Sequence, residues 1–302
     1  MKKILSLGLM FGLLFMLSAC DETEENDKLR VVATTTYIYD MIKTIGGEHI
    51  EIVALMEAGV DPHDFQPRQS DTGRIQNADL VVVNGLNLEE RMGEVLSQMN
   101  EDKLLVLGDY VPSDKLLYET ENVIDPHIWF DIGIWQALSE VAGEKLQTMD
   151  PENALYYANR AESYMKDLTV LETYVKSRVE ELDESKRILV TAHDAFAYFG
   201  KAYGFEVHAV QGISTASEAS ISDIENLADL LVELDVQRVF WESSVPQGTV
   251  DALVEATLDL GHNVSVGGEL YSDSTGDKLH GHETYIRTFR ANVDTIIDAL
   301  KE

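Results

Sequence analysis

Two copies of one tripeptide frame the chemistry this chain could perform. Asp61-Pro62-His63 lies in AGVDPHDFQP, and Asp125-Pro126-His127 lies in IDPHIWFD, 64 positions further on. The 302 residues contain eight histidines, so two behind the same dipeptide stand out. Proline fixes its own φ and keeps the preceding residue out of helical geometry, so each imidazole rides on a stiffened loop. Neutral imidazole nitrogen is a ligand for divalent transition metals. Two more residues have suitable chemistry: His193, closing ILVTAH, and Asp273, in LYSDSTGD. Successive separations of 64, 66 and 80 residues are far too long for a zinc finger, whose ligands sit a few residues apart. A site made from these four has to be assembled by the fold. Taken singly, a histidine is ordinarily a surface or hydrogen-bonded core group. The nearby acids Asp61, Asp64, Asp125, Asp131 and Asp194 have two readings: acceptors for the second ring N–H of a ligand, or caps and turn formers.

Short apolar runs separated by helical patterns supply the elements that would position them. Residues 29–36, 50–56, 78–85 and 103–109 read as strands in the first half, and 187–193, 205–212, 236–243 and 263–270 in the second. Near-continuous apolar runs between helices indicate parallel sheets covered on both faces. The expected fold is therefore α/β, with two similar lobes at 29–149 and 186–302. Each would hold a mostly parallel four-stranded sheet flanked by helices. Residues 150–185 join them and read as one connecting long helix. Asp150 and Pro151 suit its start, nothing breaks it, and apolar positions recur at Leu155, Tyr156, Tyr164, Leu168, Leu171, Val175 and Val179. About 33 residues at ~1.5 Å each would span ~50 Å, a rod that opposes wide hinge motion. Ligands of parallel sheets gather beyond the carboxyl ends of strands, which brings His63, His193 and Asp273 to one cleft.

The amino terminus follows a different logic. MKK, the apolar run ILSLGLMFGLLFML and the closing LSAC make residues 1–19 a signal peptide, too short for a comfortable membrane span. Cys20 is the only cysteine, so no intramolecular disulfide can form. One reading makes it a chance residue at a cleavage site. The other follows from the likeness of LSAC to the bacterial lipobox, which implies lipidation of Cys20 and a stable acyl anchor. Residues 20–28 are acidic and apolar-poor, as a flexible tether would be. Cleavage would remove Lys2 and Lys3 from the 23 basic side chains, leaving 21 against 54 acids, a net charge of −33. That charge excludes nucleic acid and electrostatic adhesion to an anionic membrane as partners. It also suits simple solubility, and by itself names no ligand.

The segments VVATTTYIYDMIKTIGG, DPHDFQP, DPHIWFD, TAHDAFAYFGKAYGFEVHAVQGISTASEAS, VFWESSVP and GGELYSD occur together and in order. Over residues 28–302 the chain thereby resembles the zinc- and manganese-binding receptor lipoproteins of bacterial ABC importers, the cluster A-I or TroA-like solute-binding family. The resemblance implies two α/β lobes spanned by a long helix, with metal held between them. It makes His63 and His127 ligands from the first lobe, and His193 and Asp273 ligands from the second. It also implies a monomer that is exported, lipid-anchored at Cys20 on the outer face of the cytoplasmic membrane, and partnered by the permease of an ABC importer. Three histidines and one aspartate favour zinc over manganese. Dedicated zinc receptors often carry a histidine-rich loop after the first ligand, however, and residues 64–126 hold no histidine.

Other polar residues are weighed against this set. His280 and His282 form a His-x-His pair read as a solvated loop ahead of a metal collector, and His49, His208 and His262 read as structural. Glu242 and Glu218 fall near the cleft in the family pattern, as outer acceptors. The three tryptophans read as core. Two rival functions remain: a surface adhesin, and a zinc hydrolase, which would need an open coordination position. No His-Glu-x-x-His helix or phosphate-binding loop supports an enzyme. With an unperturbed imidazole pKa of ~6.5, affinity for metal should fall below about pH 6.

Overall fold

The computed structural model describes residues 28–120 and 122–302. The signal peptide 1–19, Cys20 and all but the last residue of the tether 20–28 lie outside the described residues.

The chain begins β1 (Leu29–Ala33), α1 (Thr36–Gly46), β2 (Ile50–Ala54), α2 (Gln69–Asn77), β3 (Leu80–Val83), α3 (Gly93–Leu96) and β4 (Leu104–Val106). These four strands form one parallel sheet in the order β2-β1-β3-β4. The buried runs predicted this directly: all four residues of β3 are inaccessible, as a strand covered on both faces requires. Helix α1 starts where the Thr35 hydroxyl accepts the Ile38 N–H, and stops at Gly47. Gly47 has φ +56°, and a Cβ there would lie 2.1 Å from the Tyr156 hydroxyl, so only glycine fits.

A short antiparallel pair follows, β5 (Tyr118–Thr120) and β6 (Val123–Ile124), then α4 (Ile132–Met149) and α5 (Ala154–Val179). Nothing in the apolar pattern marks the pair, because its residues are exposed or half-buried and do not alternate. The long helix is shorter than its 150–185 pattern suggested. Residues Pro151–Asn153 form a tighter turn, and the α-helix proper holds 26 residues, or about 39 Å. Its buried stripe is Tyr157, Ala161, Tyr164, Leu168, Leu171, Val175 and Val179. Leu155, expected on that stripe, is exposed, and Tyr156 takes the half-buried place over Gly47 and His49 instead.

The second half contains β7 (Ile188–His193), α6 (Ala197–Tyr203), β8 (Glu206–Gln211), α7 (Ile221–Glu233), β9 (Arg238–Glu242), α8 (Gly248–Asp259), β10 (Ser265–Leu270) and α9 (Tyr285–Lys301). Its four strands hydrogen-bond as two parallel pairs, β7 with β8 and β9 with β10, rather than as the one continuous sheet expected, and β7 lies beside β9. Helix α5 packs along α1, α4 and α9, touching both halves. The main apolar core is correspondingly continuous, running from Val31 and Ile45 through Leu168 and Leu171 to Val293 and Ile297. Smaller clusters lie around Val190, Leu231 and Val239, and around Val32, Met56 and Val81.

Candidate metal centre

The carboxyl ends of the strands face one another across the two halves, and the four sequence candidates meet there. His193 is the last residue of β7, and Asp273 comes three residues after β10. His63 sits on the irregular segment after β2, while His127 precedes a single helical turn, Ile128–Phe130, ahead of α4. All four are at most 4 % exposed.

The approach of their polar atoms is close. His127 Nε2 lies 3.3 Å from His63 Nε2 and 3.4 Å from His193 Nε2. Asp273 Oδ1 is 3.4 Å from His193 Nε2, 3.5 Å from His127 Nε2 and 4.0 Å from His63 Nε2. One ligand atom from each residue fits within a mutual separation of 4.8 Å. Four ligands arranged tetrahedrally about zinc, each about 2.0–2.1 Å from it, would be about 3.3–3.4 Å apart. The set is therefore nearly the size of a coordination tetrahedron. Asp273 Oδ1 is buried without a hydrogen-bond partner, which is costly unless a cation or proton compensates it.

Three of the four are fixed from behind. Asp125 Oδ1 accepts the His127 backbone N–H at 2.9 Å and sits 2.7 Å from its Nδ1, so Nε2 is left facing inward. Tyr198 donates to the Asp125 carbonyl and Asn84 to the Pro126 carbonyl, pinning this loop to its surroundings. Glu242 Oε1 accepts the His193 backbone N–H at 2.8 Å. Its Oε2 lies 2.6 Å from His193 Nδ1, an ion-pair contact off the line of a straight hydrogen bond. Ser244 donates to Asp273 Oδ2 at 2.9 Å, turning Oδ1 toward the imidazoles. His63 differs. Asp61 accepts its backbone N–H, and no carboxylate among the described residues meets its second ring nitrogen.

Electrostatics follow from these neighbours. Burial alone would lower the His127 pKa, but Asp125 and then Asp273 outweigh it and hold the group at about 9. His193 is likewise raised well above the ordinary range, by Glu242 and Asp273 against the opposing effect of burial. For His63 burial dominates over the attraction of Asp273, and its pKa drops to about 3. Burial would raise Asp273, yet the facing histidines bring it well below the usual carboxylate range. The carboxylates around His127 and His193 thus favour the protonated imidazoles, and metal binding has to compete with those protons.

The remaining sequence candidates are distributed elsewhere. Of the five acids beside the histidines, only Asp125 meets an imidazole ring. Asp61 serves the backbone, Asp64 pairs with Arg91, and Asp131 caps α4. Asp194 lies half-buried on a groove with Gln211, which exposed Glu218 also lines. Glu242 does for His193 what the neighbouring Asp194 does not. The family resemblance had placed Glu242 near the cleft as an outer acceptor; Ser244, two residues on, carried no signal. His280 pairs with Asp277 on the surface and His282 contacts the Tyr271 hydroxyl, so the two are held apart from the cluster and from each other's role. His49 packs edge-on against Tyr156, His208 meets Glu206, and His262 meets the Val236 carbonyl. Trp129 and Trp135 are core residues, and Trp241 is half-buried.

Comparison with known proteins places the chain among metal-binding relatives. The family profile described as "Zinc-uptake complex component A periplasmic" matches residues 31–299. The manganese-binding lipoprotein MntA of Bacillus subtilis (strain 168) is 40% identical over 304 residues, covering 97% of this chain and 99% of the relative. The zinc-binding protein TroA of Treponema pallidum (strain Nichols) is 38% identical over 298 residues, covering 98% and 96%. The solved structure of the periplasmic zinc-binding protein TroA from Treponema pallidum superposes with a TM-score of 0.89 at 39% identity, covering 90% of this chain and 99% of that one.

Proposed function

The chain belongs to the zinc-uptake complex component A family, and from that premise we propose that it captures one divalent transition metal, zinc or manganese, and delivers it to an ABC importer. His63, His127, His193 and Asp273 are the proposed ligands. The observation carrying this reading is the convergence of three imidazole Nε2 atoms on Asp273 Oδ1, an oxygen with no hydrogen-bond partner of its own. The set of donors suits zinc better than manganese, which prefers more carboxylate. The relatives are named for one metal or the other, and the cargo here is a divalent ion that the cage holds for transfer.

The same reading extends to the rest of the chain. The proposed division is a first lobe at 29–149, a connecting helical segment at 150–185 and a second lobe at 186–302, with the cage between the lobes. Export by residues 1–19 and lipidation of Cys20 would hold a monomer at the outer face of the cytoplasmic membrane, beside its permease. Two relatives named as lipoproteins support this placement. Among the described residues no helix is long and apolar enough to cross a membrane. We read the protein as a receptor and not an enzyme, because four buried protein ligands leave no open position for a reacting water.

The deciding experiment is purification without added metal, elemental analysis, then competition titration with zinc and manganese. One equivalent of metal with high affinity is expected, lost in the four single alanine variants. Stoichiometric binding that survives in all four would place the cargo elsewhere.

A further inference from the structure

The four proposed ligands do not have equal support. His127 and His193 each have a carboxylate behind the ring, and Asp273 has the Ser244 hydroxyl. His63 has none of these. It lies on a long irregular segment, with no regular element between the end of β2 at Ala54 and the start of α2 at Gln69. Asp273 is on a comparable one between β10 and α9, but has the Ser244 hydroxyl to hold its carboxylate.

Besides the Asp64–Arg91 pair and the packing of Met56 within its own half, two restraints on this segment come from the other half of the molecule. Thr215, on the loop after β8, donates its hydroxyl to Asp61 Oδ2 at 2.5 Å. The other oxygen of the same carboxylate accepts the His63 N–H at 2.8 Å. One side chain thus ties the backbone of a ligand to the opposite wall of the cleft. A second tie lies close by: the Gly59 N–H donates to Ser274 Oγ at 2.8 Å, and Ser274 directly follows Asp273. Both bonds cross the cleft and neither involves a ligand ring. The carboxylates behind the His127 and His193 rings belong to their own sides, Asp125 and Glu242, although the Tyr198 hydroxyl of the second half also donates to the Asp125 carbonyl.

We propose that Asp61 and Thr215 are positioning residues that hold the His63 segment closed across the cleft, so that His63 is the ligand that leaves first when metal is released. The inference rests on the metal-receptor reading above and assigns a sequence to its release step. A captured ion has to be surrendered to a permease, and a cage with four equally braced ligands would surrender it slowly. Here the ion loses one ligand when two cross-cleft hydrogen bonds break, while His127, His193 and Asp273 keep their orientation. A hydrogen bond to a carboxylate is among the stronger kinds, so its loss should be visible in a rate.

The test uses two measurements on the full mature protein. The first is hydrogen exchange of four amides, each with a bond assigned here: Gly59 and His63 on the segment, His127 and His193 outside it. With zinc bound, all four should be protected. After chelation, Gly59 and His63 should lose protection while His127 and His193 keep it. Equal loss at all four would overturn the proposal, because the cage would then open as one unit. The second is metal dissociation into excess chelator. Thr215→Val removes the donor while keeping the shape, and should raise the dissociation rate about tenfold with the association rate within about twofold. Thr215→Ser, which restores a hydroxyl, should return the rate to the wild-type value. Unchanged dissociation in Thr215→Val, Ser274→Ala and their combination would overturn the proposal. Failure of the wild type to bind zinc at all would instead reject the receptor reading, so the two failures are distinct.

Discussion

Asp61-Pro62-His63 and Asp125-Pro126-His127 begin alike: in each, an aspartate Oδ1 accepts the backbone N–H of its own histidine, at 2.8 Å and 2.9 Å. They diverge at the next contact. Asp125 turns back onto the ring it precedes, 2.7 Å from Nδ1, and its loop is pinned by Tyr198 and Asn84. Asp61 turns outward to Thr215, in the other half of the molecule. One tripeptide is thus found once with a histidine whose pKa, against burial, Asp125 and Asp273 hold at about 9, and once with a histidine that burial lowers to about 3. The local motif sets the turn, and what surrounds each ring sets its chemistry.

Removing a ligand is the largest perturbation of that comparison. His127→Ala and Asp273→Ala should each weaken zinc binding by about a thousandfold or more, since each strips a coordination bond from a buried site and leaves a charge uncompensated. His63→Ala should cost less than His127→Ala, because it removes the ligand with no carboxylate behind its ring. Calorimetric titration orders the three; a greater loss for His63→Ala would reverse the ranking drawn here.

Proton competition comes next. The raised pKa values of His127 and His193 mean both groups are protonated at neutral pH without metal, and both must be neutral to ligate. Affinity should therefore rise with pH, by about a hundredfold per unit between about pH 5 and 8, with about two protons released per ion. His63, lowered to about 3, contributes nothing in this window. The expectation of a fall only below about pH 6, from an unperturbed imidazole, is thus displaced upward by the neighbouring carboxylates. Zinc titrations in buffers of differing ionisation enthalpy count the protons; a value near zero at pH 7 would contradict the charge distribution described.

The two aspartates themselves provide a finer contrast. Asp125→Ala should lower affinity about 10- to 100-fold, as loss of an outer carboxylate commonly does, and should reduce the protons released at pH 7. With Asp125 gone, burial has less opposition and the His127 pKa falls. Asp61→Ala should leave the proton count unchanged and act on dissociation instead. Identical proton counts in the two variants would mean the motifs are equivalent after all.

Much of this was legible before any coordinates. The eight main strands came from runs rich in apolar residues, most plainly β3, whose four residues are all buried. The four-residue cluster came from paired Asp-Pro-His motifs and strand-end positions, with the family resemblance naming the ligands. Glu242, placed near the cleft by the family resemblance, does reach His193, but the roles of the acids beside the histidines were not readable. Asp64, Asp125, Asp131 and Asp194 look alike beside histidine or aromatic residues, yet one orients a ring, one pairs with Arg91, one caps a helix and one lines a groove. Sequence proximity cannot decide which, because each outcome depends on what a distant element brings alongside. Leu155 fails for a related reason: the first turn of α5 lies over Gly47 and His49, and Tyr156 fits there while Leu155 points to solvent.

The smallest effect concerns choice of metal, and it tests whether the wall behind His193 is as specialised as the one behind His127. His193→Glu exchanges imidazole for carboxylate, which should move preference from zinc toward manganese. In this cage the exchange meets an obstacle. Glu242 lies 2.6 Å from His193 Nδ1, so the new carboxylate would face another acid in a buried site. Like charges at that distance are costly, and His193→Glu alone should weaken both metals. Adding Glu242→Gln removes the repulsion and supplies a donor for the new carboxylate. The double variant should recover affinity and show a zinc-to-manganese ratio shifted about tenfold toward manganese by competition titration. If the ratio stays at the wild-type value while affinity recovers, His193 does not set the metal preference. Selectivity would then reside in the three ligands that the exchange leaves in place.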